Sequence, residues 1–274
     1  MPTKTSLSIQ RYAPMVFGLF LILYVYRIHS FSILYYTAHS PLKNVDTNYT
    51  YWLLLLLQFP SYIIQHKWLC TLIDSGVFVL CVFCIFSKEK RYIFARILLF
   101  VFFIQISTLQ IFSCTHTKSI ACLMIALLPF VCKEEKNTVL LIEFARYFLI
   151  YIMVISAYHK VVNGGLMQTD NFPNMLLHQH LDLATLYPQH ISYCISHWLI
   201  EHKTIANGLF VLLFCTQAIF VIGIFTKRND RILFVLLFGF AVSTYFIMRI
   251  YNFDIVLLGL TLIFFKGMKK RQPN

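Results

Sequence analysis

The segment 155–165 reads ISAYHKVVNGG and closes a long apolar run, VLLIEFARYFLIYIMVISAY, setting His159 and Lys160 side by side where that run ends. A lysine at such an edge has two uses. It can keep its methylene stem in an apolar layer while its ammonium reaches water. Alternatively, protein around it can desolvate the amine so that the neutral form accepts a proton from a substrate. In the second use His159 is the adjacent polar group, able to relay a proton or to hydrogen-bond a reacting oxygen. Asn163-Gly164-Gly165 then stops the helix, because glycine adopts the left-handed conformation common at helix C-termini. Lys160 and His159 are therefore the candidate catalytic pair, with Asn163 and Gly164 as candidate substrate contacts beside them.

Other charges stand inside apolar runs, where a lone charge costs several kcal/mol and so acquires a partner. Glu143 and Arg146 are three residues apart, a spacing that places them on one helix face and predicts that they pair. Arg27 lies within the first apolar run, two residues before His29. It either extends towards water or holds an anionic group of a substrate. Asp74 and Asp254 are available partners for Arg27, Lys160 or Arg249; Asp254 also suits a helix N-terminus.

Two metal or redox readings are weaker. His178 and His180 flank Gln179, and His197 and Glu201 share a face if SHWLIEHK is helical. A metal site needs three or four converging ligands, and this spacing follows no zinc pattern, so no metal is expected. Cys81 and Cys84 form a C-x-x-C, but it sits in an apolar run without the strand–helix setting of a thioredoxin motif. A Cys70–Cys114 bridge is conceivable, and Asn48-Tyr49-Thr50 is a glycosylation sequon. The chain has no phosphate-cradling glycine loop, HExxH or GxSxG, which argues against nucleotide hydrolysis and serine hydrolase chemistry.

The elements that must position these residues follow from composition. Of 274 residues, 59% are hydrophobic and only 12% charged, with a mean hydropathy of +0.71. A water-soluble domain of this length carries more charge. The apolar runs reach the roughly 20 residues that cross a ~30 Å hydrocarbon core. They do not alternate, so they predict helices rather than a barrel. The expected fold is an all-α, polytopic membrane bundle forming a single domain over 1–274. Eight runs are expected to span: 14–36, 69–87, 94–114, 119–132, 139–160, 206–226, 231–249 and 254–266. The fourth and eighth are short. Residues 51–64, broken by Pro60, read as an interfacial or re-entrant helix, and 161–205 as a helical or irregular segment between the fifth and sixth spans. The first run is read as retained, since no small-x-small cleavage site follows it.

Lysine and arginine orient this layout. With both termini on one side, that side holds 15 of the basic residues and the other holds six, which places both termini in the cytoplasm and 161–205 outside. The net charge of +12 is accounted for by these loops. No basic stripe with stacking aromatics stands outside the membrane, so nucleic acid is not an expected partner. All ten histidines fall on the outer side of the layout, and six of them lie between 159 and 202. A water-accessible site is expected to face outward.

Lys160 at the end of the fifth run, with Ala157 before it and a glycine-containing turn after it, resembles the lysine motif of the horizontally transferred transmembrane (HTTM) domain superfamily, which includes the vitamin K-dependent gamma-glutamyl carboxylase. The resemblance covers most of the chain: about eight spans, with a long outer segment after the fifth. It implies an outward-facing site in which Lys160 is the base, assisted by His159, and a peptide or lipid-soluble substrate is modified or matured. It also implies a reduced quinone or vitamin K-like cofactor, a secreted peptide as partner and carboxylase- or epoxidase-like chemistry. This chain lacks the tryptophan that follows the lysine in that family and a histidine in the seventh run. Two alternatives stand beside it: a non-catalytic membrane subunit that partners a secreted peptide with Lys160 as an anchor, and a small transporter. No inverted repeat supports the transporter.

Overall fold

The computed structural model describes residues 4–30, 32–39, 41, 53, 56–112, 120–165 and 168–269. All its regular elements are helical, and no strand occurs among the described residues. Helices close their own backbone hydrogen bonds, which a segment in hydrocarbon must do.

Among the described residues, six helices are long and apolar enough to cross a membrane. They lie within Ile9–Thr37, Lys67–Phe86, Arg91–Phe112, Glu135–Val162, Lys203–Phe225 and Asp230–Met248. The two runs expected to be short, 119–132 and 254–266, form the shorter apolar helices Cys122–Val131 and Phe253–Phe264. The chain is thus a helical, multi-pass membrane protein, with six full-length candidate spans among the described residues. The sequon 48–50, Cys114 with its conceivable bridge, and His116 lie outside the described residues.

Tertiary contacts divide the chain into two compact units, Met1–Glu143 and Phe144–Asn274, with the boundary inside helix Glu135–Val162.

In the first unit, helix Lys67–Phe86 packs against Arg91–Phe112 and against the N-terminal helix Lys4–His29. Phe17, Phe20, Tyr24 and Phe102 fill this core; the rings of Phe20 and Phe102 meet edge-on at 5.1 Å. The tight turn between the hairpin helices is closed by Arg91, whose Nε donates to the Cys84 carbonyl at 2.8 Å. That bond satisfies an acceptor left over in the last helical turn. The first run does not continue to residue 36 as one helix. It stops at His29 and restarts as the short helix Leu34–Thr37. Asp74 caps the restart, accepting the free N–H groups of Leu34 and Tyr35 at 3.3 and 2.8 Å. Pro60 stands in the first turn of helix Phe59–Gln65, where its missing N–H costs nothing.

In the second unit, Asp230–Met248 and Phe253–Lys269 form a close hairpin. Gly259 permits it: a methyl group there would collide with the Leu237 side chain. The described part of the segment between the fifth and sixth expected spans is helical. It comprises Asn171–Gln179, Leu181–Leu186 and Ile191–Glu201, and the first and last of these pack against each other and against Lys203–Ala218.

Candidate functional site

The long helix Glu135–Val162 carries Lys160 in its last turn. Helix ends must satisfy orphan carbonyls, and this one does so through its glycines. The Gly164 N–H bonds to Val161 O at 3.0 Å and the Gly165 N–H to Lys160 O at 3.1 Å, with Gly164 left-handed at φ 65°. This is the Schellman pairing, and it fixes the helix end at the NGG expected to stop it.

Lys160 does not extend into the surroundings. Its Nζ donates to Oε1 of Gln217 and lies 5.9 Å from the centroid of the Phe210 ring. The Gln217 Nε2 donates in turn to Ser156 Oγ at 3.1 Å. Gln217 and Phe210 are each 3% exposed. Phe210 stacks on Phe172 with ring centroids 5.3 Å apart. No carboxylate pairs with the amine among the described residues. An ammonium here has an amide oxygen and a ring face to balance its charge, whereas a neutral amine needs no such balance.

Of the other residues singled out from sequence, His159 is exposed on the neighbouring face of the helix, with its ring 6.0 Å from that of Tyr158. No hydrogen bond joins it to Lys160 among the described residues. Asn163 is exposed at the helix end, and Gly164 is half-buried and shapes the turn. Arg27 is buried rather than extended to water, and it belongs to the first unit. The residues that meet Lys160 – Gln217, Phe210 and, through Gln217, Ser156 – were not anticipated. A signal for Gln217 existed: it is an amide in the middle of an otherwise apolar run.

The pairing expected for Arg146 is corrected. Its guanidinium clamps the carboxylate of Asp230, with Nε to Oδ2 at 2.9 Å and Nη2 to Oδ1 at 2.8 Å. Nη2 also donates to the Gly223 carbonyl at 2.8 Å. Both side chains are buried. Asp230 offers two oxygens in the plane of the guanidinium, a fit that a neighbour three residues along the same helix rarely achieves.

Asp74 acts within the first unit. Besides capping Leu34 and Tyr35 it accepts Gln105 Nε2 at 2.6 Å, and Gln105 also reaches the Tyr24 hydroxyl at 2.7 Å. His197 and Glu201 do share a helix face, 3.4 Å apart and well exposed. Among the described residues no three His, Cys, Asp or Glu side chains converge as metal ligands. Cys81 and Cys84 are buried free thiols, and Cys81 donates to the Phe17 carbonyl at 3.3 Å.

No family model, curated protein or solved structure matches the chain.

Proposed function

We propose that this chain is an HTTM-like membrane protein that modifies a lipid-soluble or peptide substrate at an outward-facing site, with Lys160 as the base. The observation that carries this reading is the inward turn of the Lys160 amine onto Gln217 and Phe210. A lysine that serves only to anchor a helix end gains most by sending its ammonium to headgroups and water. Instead, this amine is held by an amide that is itself held by Ser156. Such positioning is what a proton acceptor requires: a defined place for the lone pair and little water around it.

Phe210 stands beside the amine and stacks on Phe172, and Gln217 supplies a hydrogen-bonding amide. A reduced quinone or vitamin K-like compound, when bound, supplies the acidic hydroxyl. Lys160 Nζ accepts that proton; Gln217 keeps the amine pointed inward, and Gly164 and Gly165 fix the height at which the helix delivers it. His159, exposed beside it, exchanges protons with the outer solution. The topology belongs to the same proposal: both termini cytoplasmic, 161–205 outside, the secreted peptide and the membrane lipid as partners.

The test uses the purified full chain in nanodiscs, supplied with reduced vitamin K and dissolved oxygen, with vitamin K epoxide followed by chromatography. The wild type forms the epoxide, and Lys160→Ala, folded and inserted to the same extent, does not. Equal product from both proteins, or none from the wild type, overturns the reading.

A further inference from the structure

The first unit holds a cavity of about 630 Å³ beside Asp74, lined by Ile28, Ile33, Thr71, Ser75, Phe78 and Val79 together with Tyr35. It lies far along the chain from Lys160 and shares no lining residue with that site. Thr71, Ser75, Phe78 and Val79 lie on the exposed face of helix Lys67–Phe86, which is long and apolar enough to cross the membrane. A cavity with its mouth on that face opens to lipid, and its walls are almost wholly apolar.

Its one charged group is Asp74. The carboxylate is buried, and its described partners are all N–H donors: two backbone groups at the start of helix Leu34–Thr37 and the Gln105 amide. No lysine or arginine forms an ion pair with it among the described residues. Among the described residues Oδ2 accepts the Tyr35 N–H alone, which leaves it a further lone pair. An anionic oxygen at the edge of an apolar, lipid-facing cavity selects for a molecule with an apolar body and a cationic donor at one end.

We infer that this cavity binds a membrane-dissolved amphiphile carrying an ammonium group, which donates to Asp74 Oδ2 while its chain lies along Ile28, Phe78 and Val79. The ammonium pairs with a carboxylate whose described partners are N–H donors alone, and the chain fills volume that lipid tails otherwise occupy.

The probe is radiolabelled dodecylamine, titrated against the full chain in nonionic micelles, with dodecanol and dodecanoate as competitors. The wild type binds it saturably. Ser75→Phe, which fills the cavity and leaves the hydrogen bonds of Asp74 in place, weakens binding at least tenfold, and so does Asp74→Asn. Dodecanol and dodecanoate compete poorly. Undiminished binding by Ser75→Phe overturns the site. Equal competition by dodecanol overturns the ammonium class, since a hydroxyl then suffices. Should Asp74→Asn fail to fold, the Ser75→Phe result decides.

Discussion

Arg146 and Asp230, separated by 84 positions in the chain, meet as a two-bond clamp with both side chains shut off from solvent. The clamp ties the long helix Glu135–Val162 to the start of helix Asp230–Met248, and through the Gly223 carbonyl to the end of the helix before it. It therefore sets the packing of the unit that carries Lys160.

Removing one member of this pair leaves the other charge buried. Asp230→Asn should destabilise the protein by about 3–5 kcal/mol, the range for a buried pair broken from one side. Replacing both, with Arg146→Met and Asp230→Leu, should recover most of that loss, because neither charge then needs balancing. Thermal unfolding in a mild detergent reads both effects. A single variant as stable as wild type would show that the clamp contributes nothing.

The end of the long helix depends on one backbone conformation. Gly164→Ala forces a Cβ into the left-handed region at φ 65°, and should cost about 1–2 kcal/mol. Gly164→Asn should cost less, since asparagine tolerates that region. The order of unfolding temperatures, glycine above asparagine above alanine, checks the turn; equal values would contradict it.

Two glycines of the second unit should respond in opposite directions. A Cβ at Gly259 collides with Leu237 and approaches Phe234 at 3.3 Å. Gly259→Ala should lower stability by about 1–3 kcal/mol, the cost of overpacking. Gly239 has no atom within 4 Å of the added Cβ. Gly239→Ala should raise stability by about 0.5–1 kcal/mol through reduced chain entropy. Matching behaviour at the two sites would contradict the hairpin geometry.

Much of the fold was legible because each apolar run must hide its own backbone. The runs at 69–87, 94–114, 139–160, 206–226 and 231–249 all correspond to full-length helices, and the NGG stop was readable from glycine alone. What sequence spacing could not supply was the identity of distant partners. Glu143 looked like the partner of Arg146 because local spacing is visible and an 84-residue separation is not. The restart after His29 is capped by Asp74, which arrives from another helix. At the candidate site, Lys160 and the turn after it were readable from local pattern. Gln217, which decides where the amine points, came from a different span and was visible only as an amide out of place.

In the proposed reaction Lys160 is a proton acceptor and not a tether, and the reduced vitamin K assay on Lys160→Arg beside Lys160→Ala separates the two roles. Arginine keeps a long stem and a permanent charge, but cannot give up its proton in a protein. A base predicts that both variants insert and fold yet form no epoxide. Epoxide formation by Lys160→Arg at the wild-type rate would contradict a role as base and leave Lys160 as an anchor.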